Sequence, residues 1–328
     1  MQEKKEKVPK KVSPPNQQIE DVIIIGGGIS AHTAALYTAR ASLKPLVIAG
    51  IDPDQLSTTT LVENYPGFPE GINGPDLIDN CKKQAERFGA TYLAVKADAV
   101  KKVKNYFEVS ASGKKYLGRT LILSTGASPR TLNIPGEKQY WGRGVSTCAV
   151  CDAAIFRNKI VVVIGGGDSA MEETLALYKF AKKIYLAHRR NEFRASNIMQ
   201  DRVMKLKDKI EILFNAAATE VKGDGKKVTS VILQDTVTNK KREIVCDGFF
   251  LAIGHIPNTA LVRGVVQLDE EGFIVTNKLS RTSVPGVFAA GDVQDKVFKQ
   301  AVTSAGTGCQ AAIQAERYIE DIKARGKY

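Results

Sequence analysis

Two stretches of the chain carry the same hydrophobic and polar rhythm. From Asp21 the sequence runs DVIIIGGGISAHTAALYTARASLKPLVIAG. Its apolar run Val22–Ile25 reads as a buried strand, since a β-branched run bounded by glycines has no polar face to give to solvent. An alanine-rich helical stretch and a second apolar run, Leu46–Ile48, follow. From Lys159 the pattern returns as KIVVVIGGGDSAMEETLALYKFAKKIYLAHRR, predicting a strand over Ile160–Ile164, a helix, and a strand over Ile184–Ala187. A third apolar run lies within TSVPGVFAAGDV, residues 282–293, and reads as a strand ending in a glycine turn with an acid at a helix start. The helix predicted after it, residues 299–322, has small residues early and apolar residues at helical spacing later.

Both strand-to-helix junctions are rich in glycine: Gly26-x-Gly28-x-x-Ala31 in the first copy and Gly165-x-Gly167-x-x-Ala170 in the second. A single such motif is weak, but each sits inside a βαβ-sized unit, the context a dinucleotide-binding turn requires. The tight turn and the missing Cβ let backbone approach a pyrophosphate, which faces the helix N-terminus. Two copies in one chain imply electrons passing between two cofactors. In both, the second strand ends 21 residues after the second glycine, at Ala49 and at His188. A site for NAD usually places an acid there. The second copy instead offers His188, Arg189, Arg190 and Arg194, and planar guanidinium forks suit a 2′-phosphate, which selects NADPH. The first copy ends in uncharged Ala49, compatible with FAD held by other contacts.

Composition narrows the rest. The chain has 328 residues, enough for two domains, and no apolar run approaches the roughly 18 residues of a membrane span. Its net charge of +12 comes from basic residues spread along the chain rather than in a block interleaved with aromatics, so no nucleic-acid partner is expected. Residues 1–20 mix lysine with glutamate around two adjacent prolines, which reads as a flexible tail and not as a targeting segment. Five cysteines, three of them isolated, fit a reducing, cytoplasmic compartment. The remaining two form Cys148-Ala-Val-Cys151. Such a pair is half a zinc site, a structural disulfide or a redox couple. No second pair at metal-like spacing exists to complete a zinc site, and no metal is expected.

Taken together, these residues resemble the low-molecular-weight thioredoxin reductases of the pyridine nucleotide–disulfide oxidoreductases. The resemblance spans residues 21–322 and rests on the two glycine motifs, VENYPGF at 62–68, STGASPR at 124–130, Cys148-Ala-Val-Cys151-Asp152, HRRNEFRAS at 188–196, AIGHIPNT at 252–259, and AAGDV with KQAVTSAGTGC after it. It implies an α/β fold of two doubly wound, Rossmann-like dinucleotide-binding domains, the NADPH domain inserted into the FAD domain. Residues 21–130 and 258–328 would build the FAD domain, and residues 131–257 the NADPH domain with the cysteine pair. It further implies a homodimer, with thioredoxin or a thioredoxin-like protein as partner.

The site residues implied are as follows. FAD would contact Gly26, Gly28, Ile29, Ala31, Gln55, Leu56, Thr60, Asn64, Gly126, Gly291, Asp292, Lys299, Gln300 and Ala301. NADPH would contact Gly165, Gly167, Asp168, Ser169, His188, Arg189, Arg190, Arg194 and Gly254. Electrons would flow from NADPH through FAD to a Cys148–Cys151 disulfide, with Cys151 nearest the isoalloxazine and Cys148 the outward nucleophile. Asp152 would be the general acid. Two departures stand out. Pro53 and Asp54 replace the family's paired glycines before Gln55-Leu56, placing a charge near the expected FAD phosphates, and Ala153 replaces a glycine after Asp152. Two further readings keep the folds: the same cofactors serving another disulfide partner, and a weakened nucleotide-binding regulator.

Overall fold

The computed structural model describes residues 18–326 and 328; the predicted tail falls almost wholly outside them. Its α-helices are α1 (Ile29–Arg40), α2 (Gly74–Arg87), α3 (Ala149–Asp152), α4 (Asp168–Tyr178), α5 (Asn197–Met204) and α6 (Ala301–Ala324). The described residues divide into two compact units: residues 18–58, 75–126 and 258 onward, and residues 59–74 with 127–257. The second unit is thus largely an insertion into the first, in the mixed α/β fold with parallel sheets that the sequence predicts.

The first unit is built on a seven-stranded sheet. Leu46–Ile48, Ile19–Ile25, Lys114–Leu123 and Val287–Ala289 run parallel at its centre, with Ile24 opposite both Val47 and Ile122. The run of isoleucines is buried on both faces, as a parallel sheet covered by helices requires. The first strand begins at Ile19 rather than Val22, because Ile19 and Glu20 find backbone partners at Leu117 and Gly118. Residues 97–123 form an antiparallel meander that the sequence does not announce. Helix α1 packs along α6, and a Cβ on Gly308 would lie 2.3 Å from the Ser30 carbonyl oxygen, so this helix pair closes only around glycine.

The second unit holds a five-stranded parallel sheet ordered Val145–Ser146, Gly248–Leu251, Ile160–Ile164, Lys183–Ala187 and Ile210–Leu213. Phe249 and Phe250 alternate across this sheet into its two cores and are fully buried, each stabilising the fold by about 1.5–3 kcal/mol. A separate antiparallel sheet of Ala216–Gly223, Val228–Asp235 and Lys241–Val245 lies in the chain between the parallel strands Ile210–Leu213 and Gly248–Leu251. The predicted βαβ elements are present at Ile160–Ile164, α4 and Lys183–Ala187.

Candidate active site

In the first unit the chain turns sharply at Gly26, whose φ is +137°. A Cβ there would lie 2.1 Å from the Ser124 carbonyl oxygen, so no other residue fits. At Gly28, which caps α1, a Cβ would meet only the Asp54 Cβ at 3.8 Å, leaving the mouth of the turn accessible. Ile29 and Ala31 are buried under the helix start. Gly291, at φ +76°, packs so closely on Ser30 that a Cβ would stand 2.6 Å from its Oγ, which brings the late glycine-acid turn to the early glycine turn. Ser304 Oγ donates to Asp292 Oδ1 at 2.9 Å, and burial pushes the Asp292 carboxyl above the usual range. Lys299 and Gln300 lead into Ala301, the first residue of α6, where Gln300 and Thr303 form a reciprocal cap.

Asp54, one of the departures, turns its carboxylate into its own loop. Its Oδ1 accepts from the backbone N–H of Leu56 at 2.9 Å and of Ser57 at 3.3 Å, and Oδ2 accepts from the Ser57 hydroxyl. The added charge therefore orders the turn that presents Gln55 and Leu56. Gly126, at φ +69°, ends the first unit's central strand region and accepts from Asn258 N at 3.0 Å. Thr60 and Asn64 are exposed and lie in residues 59–74, which group with the second unit.

In the second unit a Cβ on Gly165 would fall 2.4 Å from the Ala252 carbonyl oxygen, and one on Gly166 would enter the His188 ring at 2.3 Å. At Gly167 nothing lies within 4 Å, which leaves open space at the helix N-terminus for an anionic group. The basic loop is fixed to this turn. Arg194 N and Ala195 N donate to Gly166 O at 2.6 and 3.0 Å, and Ser196 donates through N and Oγ to Asp168 Oδ1 at 2.9 and 2.8 Å. Asp168 thus holds the loop, while Ser169 beside it is exposed. Arg189, Arg190 and Arg194 are exposed, and none forms a salt bridge with a described residue. His188 is buried, and burial together with the three arginines holds its pKa down, so the imidazole is neutral at neutral pH. Gly254, at φ +92°, lies on the loop after Gly248–Leu251.

The same unit carries the cysteine pair. Cys148 and Cys151 are joined in a disulfide with Cα atoms 5.3 Å apart, closing the single turn of α3. Cys148 is the N-cap, and its Sγ accepts from Cys151 N at 3.2 Å. That N–H is aimed where negative charge would reside on a free Cys148 thiolate. Cys148 N donates to Ser146 Oγ at 3.0 Å, and Ser146 also hydrogen-bonds Asp152. Burial raises the Asp152 carboxyl above its ordinary range against the lowering effect of that bond. A carboxyl that keeps its proton at higher pH is suited to protonating a thiolate. Ala149 N donates to Glu173 Oε2 on α4.

A raised native carboxyl pKa means that the folded state binds this proton more tightly, so its stability contribution falls as pH climbs from the unfolded pKa through the native one. Asp152→Asn should therefore melt at a higher temperature than the parent at neutral pH, converging with it in acid, while turnover drops by about 100-fold. Unchanged turnover would remove Asp152 from proton transfer.

Ser146 and Glu173 were not singled out by the sequence. Ser146 carries a readable signal, a hydroxyl two residues before the first cysteine, where it can bond backbone locally. Glu173 sits 24 residues from its partner and carries none. Among the described residues no group of three or more His, Cys, Asp or Glu is arranged to hold a metal ion, and no helix is long and apolar enough to cross a membrane.

The two glycine turns, each shaped by contacts that exclude a Cβ and open towards solvent at Gly28 and Gly167, fit two dinucleotides. Comparison with known proteins agrees. Residues 20–308 match the family model described as pyridine nucleotide-disulphide oxidoreductase. The thioredoxin reductase of Yarrowia lipolytica is 47% identical over 92% of this chain and 98% of its own length. That of Mycolicibacterium smegmatis is 49% identical over 93% of this chain and 98% of its own. The solved structure of thioredoxin reductase from Giardia duodenalis superposes with a TM-score of 0.88 at 42% identity, covering 93% of this chain and all of that one. The chain belongs to the pyridine nucleotide-disulphide oxidoreductases, in their FAD- and NADPH-dependent thioredoxin reductase branch.

Proposed function

We propose that the chain reduces the disulfide of thioredoxin, or of a thioredoxin-like protein, at the expense of NADPH. The observation that carries this reading is the Cys148–Cys151 disulfide closing a helical turn, with Cys151 N directed at Cys148 Sγ, in a unit that also holds a glycine turn beside unpaired arginines. The first unit is assigned to FAD, through Gly26, Gly28, Ile29, Ala31, Gln55, Leu56, Gly126, Gly291, Asp292, Lys299, Gln300 and Ala301. The second is assigned to NADPH, through Gly165, Gly167, Asp168, Ser169, His188, Gly254 and the arginines. Bound FAD supplies a two-electron relay between a nicotinamide hydride and a disulfide.

The chain's own residues then act on the partner. The Cys148 thiolate attacks one sulfur of the partner disulfide, a mixed disulfide forms, and the partner's other sulfur leaves as a thiolate that takes up a proton. Cys151 attacks Cys148 in the mixed disulfide, which releases the second partner sulfur and restores the Cys148–Cys151 bond. Asp152 holds the proton at the cysteine turn, where Ser146 fixes its carboxyl. A homodimer in the cytoplasm, with no membrane or nucleic-acid partner, is the setting we assign to it. Reduction of a different disulfide partner is the second reading. It is tested by comparing thioredoxin with small disulfides as substrates.

Anaerobic titration with NADPH tests the arrangement as a whole. We expect about two equivalents consumed per FAD, one for the flavin and one for the disulfide. Consumption of about one equivalent would mean that the cysteine pair is disconnected from the flavin.

A further inference from the structure

The redox turn has a second carboxylate against it. Ala149, between the two cysteines, is fully buried, and its backbone N–H donates to Glu173 Oε2. Glu173 lies in the second turn of α4, the helix that also begins at the NADPH-side glycine turn. Of the backbone N–H groups around Cys148, that of Cys151 goes to Cys148 Sγ, that of Cys148 to Ser146 Oγ, and that of Ala149 to this carboxylate. The N–H next to Cys148 in the chain is thus held by an anion, which sets a negative charge beside the turn opposite in effect to the Cys151 N–H.

We propose that Glu173 is a positioning residue that anchors the redox turn and, through its charge, holds the Cys148 thiol less acidic and the disulfide more reducing than the turn alone would make it. The charged groups on the elements packed against this turn are Asp152 on the turn itself and Asp168, Glu172 and Glu173 on α4; the 3-10 turn Ala153–Phe156 brings none. Arg157 and Lys159 just beyond it lie over the rings of Phe180 and Phe156. Asp168 is engaged by Ser196 and Asp152 by Ser146, which leaves Glu173 as the carboxylate bonded to the backbone between the cysteines. Opening the disulfide takes two electrons, which NADPH supplies through the flavin, and leaves two sulfurs that hold or release protons. A neighbouring carboxylate disfavours the thiolate form of Cys148. Disfavouring the thiolate makes the dithiol a stronger reductant, the direction needed to drive electrons onto a partner.

This inference rests on Cys148–Cys151 being the redox couple, but its test reads Cys148 directly and needs no turnover of thioredoxin. In the full-length flavin-loaded protein carrying Cys151→Ser, the alkylation rate of Cys148 is followed against pH, with the Cys148 peptide resolved by mass from Cys81, Cys246 and Cys309. Glu173→Gln keeps an acceptor for Ala149 N and removes the charge. It is expected to lower the Cys148 pKa by about half a unit to one unit. In the parent with both cysteines, and at a pH above the Cys148 pKa of both proteins, E173Q should shift the thiol–disulfide equilibrium with glutathione about three- to tenfold towards the dithiol, or roughly 15–30 mV less negative at about 29.6 mV per tenfold. Glu173→Asp retains the charge, and its profile is expected to stay with that of the parent. An E173Q profile superimposable on the parent's, or an E173D profile shifted as far as that of E173Q, overturns the proposal. Far-ultraviolet dichroism and flavin content confirm that each variant is folded. If E173Q does not fold, the parent and E173D glutathione equilibria still decide: a shift in E173D as large as threefold overturns the role of the charge.

Discussion

Cys148→Ser is expected to abolish thioredoxin reduction, by about 10⁴-fold or more, while flavin reduction by NADPH proceeds within about twofold of the parent rate. The asymmetry follows from where the residue sits. Cys148 is the N-cap of α3, and its Sγ is the atom to which Cys151 N donates, so a thiolate there is stabilised by a fixed N–H. A serine hydroxyl keeps the geometry but neither ionises near neutral pH nor accepts a second sulfur. Nothing in the change touches the glycine turns or the arginines assigned above, as a proposal, to the nucleotides. Stopped-flow absorbance of the flavin reads the first half-reaction, and insulin precipitation or thiol release reads the second. Loss of both half-reactions would sink the assignment of roles, because it would place Cys148 on the path between the nicotinamide and the flavin. Cys151→Ser should differ in kind, trapping a mixed disulfide with thioredoxin that Cys148 forms and nothing resolves.

What could be read in the sequence, and what could not, follows from the kind of contact involved. The glycine motifs are legible because steric contact dictates residue type: at Gly26 and Gly165 the space for a Cβ is already filled by the carbonyl oxygens of Ser124 and Ala252. Strands Leu46–Ile48 and Ile160–Ile164 are legible because burial on both faces demands an unbroken apolar run. The meander over residues 97–123 is not, because its first two strands, Ala97–Val103 and Tyr106–Ala111, are only partly buried. Ala97–Val103 lacks an alternating pattern, with adjacent lysines at positions 101 and 102 and Val100 its one buried residue, and resembles any solvated segment. Ile19 and Glu20 join the first strand through backbone pairing to Leu117 and Gly118, and such pairing selects no side chain. The role of Glu173 is hidden for the same reason, since its partner is the backbone of an alanine.

Asp54 shows a departure from a family pattern being absorbed locally. Two side chains where the family has bare glycines would be expected to crowd or repel a dinucleotide. Instead the carboxylate accepts from Leu56 N, Ser57 N and Ser57 Oγ, and its Cβ stands 3.8 Å from where a Gly28 Cβ would be. The carboxylate is satisfied by oriented donors of its own loop, while its charge still favours the protonated form of His32. A rule learned from glycine alone misses this, because the cap needs the acid and its donors together.

Replacing both Arg189 and Arg190 with alanine should lower kcat/KM for NADPH by about 100-fold, almost entirely through KM, and change that for NADH by less than about threefold. A charge-assisted hydrogen bond to a phosphate is worth about 1.5–3 kcal/mol, and these exposed guanidiniums warrant the low end of that range for each. Two such losses give the hundredfold figure. NADH lacks the 2′-phosphate and has nothing to lose. The selectivity of the effect depends on the loop keeping its shape when the side chains are removed, and the backbone contacts provide for that. Arg194 N and Ala195 N remain bonded to Gly166 O, and Ser196 remains bonded to Asp168, whatever stands at 189 and 190. An equal fall for both nucleotides would mean that the arginines hold the loop rather than the phosphate. Arg189→Lys with Arg190→Lys separates charge from geometry, because lysine restores the charge without the planar fork. Partial recovery for NADPH with no change for NADH would assign the remainder of the effect to bidentate recognition.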